Sequence, residues 1–121
     1  MELKDLGEFQ LIERLRQRVP VGEGVQRGIG DDAAVITLPE GHQLLTSTDM
    51  LIEGIHFRHD WTCPEDLGHK AVAVNLSDIA AMGGTPRYLY LGFACPGTTT
   101  LEDINAFLKG ALEEAARYNV T

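Results

Sequence analysis

The sequence predicts an α/β (α+β) domain in which helices pack on one face of a mixed sheet. Two observations predict it. Helical periodicities and short apolar runs alternate in the order helix, strand, strand, helix, strand, helix. The chain has 121 residues, 44% of them hydrophobic, which is enough for one core in one domain spanning 1–121.

Each element has its own signal. From about Glu8 to Val19, residues Phe9, Ile12, Leu15 and Val19 recur at helical spacing, and Pro20 stops the helix. Val21 to Gly30 is glycine-rich and reads as a loop. Ala33 to Leu38 is a short apolar strand closed by Pro39-Glu40-Gly41. Gln43 to Asp49 reads as a second strand, with Leu45 alternating against polar neighbours. Pro64-Glu65-Asp66 opens a long helix, placing proline and acids in the first turn. Its expected apolar face is Leu67, Ala71, Val74 and Ala81, and Gly83-Gly84 with Pro86 ends it. Arg87 to Cys95 is the clearest strand, rich in Tyr, Leu and Phe. Thr100 followed by Asp103 resembles a capping box, and Ile104, Leu108, Ala111, Leu112 and Ala115 mark the last helix. Val120-Thr121 read as the first residues of a further strand, so the domain is expected to be incomplete.

Charge and composition exclude several classes. The formal net charge is -8, which argues against a nucleic-acid partner, since that surface needs a basic stripe. No apolar run approaches the roughly 18 residues of a membrane span, and the N-terminus shows no apolar signal region. Cys63 and Cys95 are isolated, which fits a reduced, cytoplasmic setting better than a disulfide framework. A soluble protein with no membrane partner is expected.

The chemistry is carried by three acidic stations: Asp31-Asp32 after Gly28-Ile29-Gly30, Asp49 closing Thr46-Ser47-Thr48-Asp49, and Asp78 in Asn75-Leu76-Ser77-Asp78. Taken singly, Asp31-Asp32 reads as a turn and Asp49 as a strand-end residue. Asp78 is harder to explain blandly, because Asp is a poor helix former. Its apolar neighbours Ile79, Ala80 and Ala81 predict burial, so a partner is expected: Lys70, Arg87 or a metal. Gathered carboxylates and hydroxyls suit a hard cation such as Mg²⁺, which often bridges to nucleotide phosphates. Ser47 and Thr48 would add oxygen ligands. Such a cation also reconciles an acidic protein with a phosphate ligand.

Other motifs carry little. Gly22-x-Gly24 fails the dinucleotide fingerprint, because Arg27 stands where the third glycine belongs, and no Walker A sequence exists. His56, His59, Cys63 and His69 match no standard spacing of zinc ligands and read as scattered loop and helix-end residues.

Leu6-Gly-Glu-Phe9, Gly28-Ile-Gly-Asp-Asp-Ala33, the run from Ser47-Thr-Asp through Glu53-Gly-Ile-His-Phe57, and Lys70 to Pro86 with Asn75-Leu-Ser-Asp78 come in a familiar order. They resemble the thiamine-monophosphate kinase family, within the superfamily of aminoimidazole ribonucleotide synthetase. The resemblance implies the N-terminal domain of that fold, dimerising through its sheet into a homodimer. It implies ATP-dependent conversion of thiamine monophosphate to thiamine diphosphate by in-line transfer, with several Mg²⁺ ions and no strong general base. By the same resemblance, Asp32, Ser47, Thr48, Asp49 and Asp78 would hold Mg²⁺, and His56 would contact thiamine monophosphate. The family's tyrosine contact to ATP in the last helix aligns here with Leu108, beside Phe107, so no nucleotide-contacting residue is assigned. The family continues into a Gly-Gly-Asp or Gly-Gly-Asn strand and a second domain. Two other readings stand beside this one: a non-catalytic dimerisation or nucleotide-binding module, and another ATP-using enzyme of the superfamily.

Overall fold

The computed structural model describes residues 1–121. In chain order it contains α1 (Leu3–Leu6), α2 (Glu8–Arg18), β1 (Val25–Arg27), β2 (Val35–Ile36), α3 (Pro64–Ala81) and α4 (Leu101–Arg117). The fold is α+β, and β1 and β2 pair antiparallel, with Val25 opposite Ile36.

The two long helices form because their ends are locally specified. Pro64 sits in the first turn of α3, where its missing N–H is no loss, and Glu65 and Asp66 face the positive end of the helix dipole. The helix stops where Gly83 adopts φ +72 and Gly84 N–H donates to the Ile79 carbonyl at 3.0 Å. At the start of α4 the Thr100 hydroxyl accepts from Asp103 N–H at 3.1 Å and donates to the Asp103 carboxylate at 2.8 Å. At its end Asn119 turns to φ 56, and Val120 N–H reaches the Ala115 carbonyl at 2.9 Å. That closure folds Val120 back into the core with Val72, Leu76 and Ala115.

α3 and α4 approach closely enough that only glycine fits at two positions. A Cβ on Gly68 would lie 2.0 Å from the Phe107 carbonyl oxygen, and one on Gly110 would lie 1.9 Å from the Glu65 carbonyl oxygen. Backbone meets backbone there; Leu67, Val72 and Leu76 on α3 and Ile104, Leu108 and Ala115 on α4 are buried, with Val72, Leu76 and Ala115 in one cluster. The buried face of α3 is therefore rotated from the expected one: Leu67 is on it, but Ala81 is exposed. Periodicity located the helix; the position of its partner set the face.

Only 11 of 121 residues are buried, so this helix pair is almost the whole core and much apolar surface lies open. Helix α2 forms where expected, yet buries no residue, and Phe9 is 85% exposed because nothing packs over it. Residues 43–49 and 87–95 form no named strand, contrary to expectation. A strand exists only with a hydrogen-bonded neighbour, and these segments have almost none. The exception is at Tyr88, where Thr121 N–H donates to the Arg87 carbonyl at 2.9 Å and Leu89 N–H donates to the Thr121 carbonyl at 2.7 Å. That is the bonding pattern of a parallel pair. Conversely, β1 lies inside the expected glycine loop: Gly24, at φ +84, accepts from Thr37 N–H at 2.8 Å and brings the chain alongside β2. No helix is long and apolar enough to cross a membrane.

Candidate functional site

The site grows from one turn of α3. Asn75 and Asp78 are three residues apart and share a helix face. The Asn75 amide donates to the Ala71 carbonyl at 2.8 Å, which aims its oxygen outward. That oxygen accepts from Asp49 N–H at 3.1 Å. One turn on, the Asp78 carboxylate accepts from the Ser47 hydroxyl at 3.3 Å. The segment Ser47-Thr48-Asp49 is thus held across the Asn75–Asp78 face. Leu45, just before it, lies against Gly84, where a Cβ would come within 2.5 Å of Leu45 Cδ1. The glycine that ends α3 therefore also admits the segment that carries Ser47.

Asp78 is exposed, not buried as its neighbours suggested. Neither expected cationic partner reaches it: Lys70 donates to the His56 carbonyl at 2.6 Å, and Arg87 pairs with Glu23 at 3.8 Å. The Ser47 hydroxyl is its partner instead. The carboxylate bears outward because the buried stripe of α3 runs through Leu67, Val72 and Leu76.

The first acidic station stands apart. Asp31 is engaged by Arg27 in an ion pair and accepts from Asp32 N–H at 2.9 Å. The Asp32 amide, and after it the Arg27 guanidinium, hold the Asp31 carboxyl below the usual carboxylate range. The Asp32 side chain is exposed and takes no part in these bonds. Asp32, Asp49 and Asp78 do not form a group with ligand atoms all within 4.8 Å of one another. Two stations meet, and the third is brought to them by no hydrogen bond.

His56 belongs to a compact knot over residues 52–57. Gly54, at φ +81, lets its N–H donate to the Phe57 carbonyl at 2.8 Å. His56 N–H donates to the Ile52 carbonyl at 2.9 Å, and Ile52 N–H donates to His56 Nδ1 at 3.0 Å. Nδ1 is thereby the acceptor, so the neutral ring carries its proton on Nε2. The Lys70 ammonium donates to the His56 carbonyl at 2.6 Å, which ties α3 to the same knot. This contact of Lys70 was not legible from the sequence, because nothing in its spacing pointed to a partner 14 residues away.

The donor set around Ser47 and Asp78 fits a hard divalent cation. Ser47, Thr48, Asp49 and Asp78 offer only oxygen atoms, all four are exposed, and no cationic side chain neutralises Asp49 or Asp78.

Comparison with known proteins places the chain in a family. Residues 30–121 match the family model described as AIR synthase related protein, N-terminal domain. The chain is 41% identical over 115 residues to the thiamine-monophosphate kinase of Bacillus subtilis (strain 168), covering 95% of this chain and 35% of that protein. To the thiamine-monophosphate kinase of Escherichia coli (strain K12) it is 50% identical over 91 residues, which is 74% of this chain and 28% of that protein. The crystal structure of thiamine-monophosphate kinase from Stenotrophomonas maltophilia K279a superposes with a TM-score of 0.71 at 38% identity, over 96% of this chain and 36% of that one. The chain thus spans about 35% of the length of the Bacillus relative it matches. By the match over residues 30–121, the chain belongs to the AIR synthase related proteins, as their N-terminal domain.

Proposed function

We propose that this chain acts as the N-terminal, cation- and nucleotide-binding domain of a thiamine-monophosphate kinase. The observation that carries the reading is the docking of Ser47-Thr48-Asp49 on the Asn75–Asp78 face of α3, which joins two acidic stations into one oxygen-rich surface. The similarity to thiamine-monophosphate kinases over 95% of the chain supplies the substrates, thiamine monophosphate and ATP.

The physical problem in this reaction is to bring two polyanions together. The acceptor is already an anionic phosphate oxygen near neutral pH, so the chain needs no strong base. Asp49 and Asp78, with the Ser47 and Thr48 hydroxyls, would hold magnesium at the joined surface, and Asp32 would complete the set. Bound magnesium supplies positive charge against the phosphates of ATP. His56 offers its Nε2–H, and Lys70 its charge, to the phosphate of thiamine monophosphate. The excess of negative charge on the chain then favours recruitment of the cation before the phosphates.

The same reading includes a homodimer in a cytoplasmic setting. Tyr90, Leu91 and Phe93 are 75%, 54% and 42% exposed along a segment whose backbone is mostly unpaired. An apolar open edge of this kind is stabilised by a second copy.

The test is direct turnover of thiamine monophosphate and ATP to thiamine diphosphate. It uses the chain and a chimera in which it replaces the matching third of the Bacillus subtilis kinase. Asp49→Asn or Asp78→Asn in the chimera should lower turnover by orders of magnitude with folding intact. Wild-type turnover at saturating Mg²⁺ in both variants would refute the assignment.

A further inference from the structure

The outer face of the α3–α4 pair carries a second cluster, made of nitrogen as well as oxygen donors. Glu65 and His69 are one turn apart on α3, and Glu113 faces them from α4, with one ligand atom from each within 4.8 Å of the other two. The frame around them is tight. A Cβ on Gly110 would meet the Glu65 carbonyl oxygen at 1.9 Å and His69 Cδ2 at 3.2 Å, so the two helices hold the three side chains at fixed separation.

A fourth residue sets the state of the histidine. Glu114 is the one buried charged residue of the chain, at 8% exposure, and its carboxylate lies 3.2 Å from His69 Nδ1. A carboxylate there can only accept, so Nδ1 carries a proton. In the neutral ring Nε2 then presents its lone pair, and it does so 3.4 Å from a Glu113 carboxylate oxygen. Two acceptors facing at that distance repel unless a cation lies with them. Lys109 donates to Glu65 at 2.7 Å and lies 3.8 Å from a Glu113 oxygen, so its charge is directed at the carboxylates and not at the imidazole. The lone pair of Nε2 is left for a proton or a metal.

We propose that Glu65, His69 and Glu113 form a site for a divalent transition cation of the zinc class, separate from the Ser47–Asp78 surface. One imidazole and two carboxylates suit zinc better than magnesium, which prefers oxygen alone. Glu114 is a positioning residue, since it fixes the tautomer through the far ring nitrogen as carboxylates do for metal-bound histidines. Lys109, bonded to Glu65, would compete with the cation for that carboxylate.

The test is calorimetric titration of the full chain with Zn²⁺ alone near neutral pH, against a competing chelator. His69→Ala and Glu113→Gln should each weaken the tightest site by roughly 10–100-fold or more. Lys109→Gln should tighten it by removing the competing charge. Asp49→Asn and His59→Ala should leave it unchanged. Glu113 is exposed, so its variant reads the site even if His69→Ala folds poorly. Wild-type affinity in Glu113→Gln, loss of the site in Asp49→Asn, or weaker binding in Lys109→Gln would each overturn the proposal.

Discussion

Replacing Gly110 by alanine sets two effects of opposite sign against each other. In an open helix position the change stabilises by about 0.8–1.0 kcal/mol, because alanine loses less backbone freedom on folding. Here the added methyl would lie 1.9 Å from the Glu65 carbonyl oxygen and 2.8 Å from its carbon. To reach ordinary contact the facing backbone must recede by about 1.5 Å, since attractive contact begins near 3.5 Å. Backbone in a helix cannot yield locally as a side-chain tip can, so α3 and α4 must move apart and loosen Leu67, Val72, Leu108 and Ala115 together. Overpacking of this kind costs about 1–3 kcal/mol, occasionally more, which exceeds the helix-propensity gain. Gly110→Ala should therefore lower stability, and Gly68→Ala should do the same through the Phe107 carbonyl. The assay is urea denaturation followed by circular dichroism, with the midpoint compared at constant slope. A midpoint equal to or above that of the wild type in either variant would refute the close approach of the two helices.

Two further predictions concern single groups. Thr100→Ala removes the hydroxyl that caps α4 and should cost about 1 kcal/mol, read from the same denaturation curves; an unchanged midpoint would show that the cap does not hold in solution. Hydrogen bonds from Arg16, and then from Gln17, lower the Glu13 pKa from 4.5 to about 2. A depressed carboxylate pKa adds stability that is present above 4.5 and lost as pH falls toward 2, so α2 should loosen across that window. Arg16→Gln should return the titration of Glu13, followed by NMR, toward the ordinary carboxylate range; a midpoint that stays near 2 would contradict the pairing.

What was legible in the sequence depended on how local its cause was. The three longer helices follow from signals within a few residues: Pro20 after α2, Pro64-Glu65-Asp66 and Gly83-Gly84 around α3, and Thr100 with Asp103 before α4. The strands depend on partners far away in the chain, so alternation at Gln43 to Asp49 and apolar content at Arg87 to Cys95 could not decide whether a ladder forms. The same limit applies to burial. Phe9 has the right spacing for a core face and lies open because no element covers it. Within the site, residue types pointed to the chemistry and Asn75 to the face, but the bond from Ser47 to Asp78 crosses 31 positions and had no local signature. The His56 tautomer depends on one amide, that of Ile52, and was equally invisible. Glu113 lies 44 positions from His69, so its place beside Glu65 and His69 had no local signature either.

The proposed function stands or falls on whether the surface joining Ser47–Asp49 to Asp78 holds a cation for a nucleotide. Its most direct test is calorimetric titration of Mg²⁺ with a non-hydrolysable ATP analogue into the wild type, Asp32→Asn and Asp78→Asn. Saturable binding is expected in the wild type, and binding at least tenfold weaker in both variants. Wild-type affinity in Asp78→Asn would refute the site, because the joined surface would then hold its ligand without the carboxylate that Ser47 contacts.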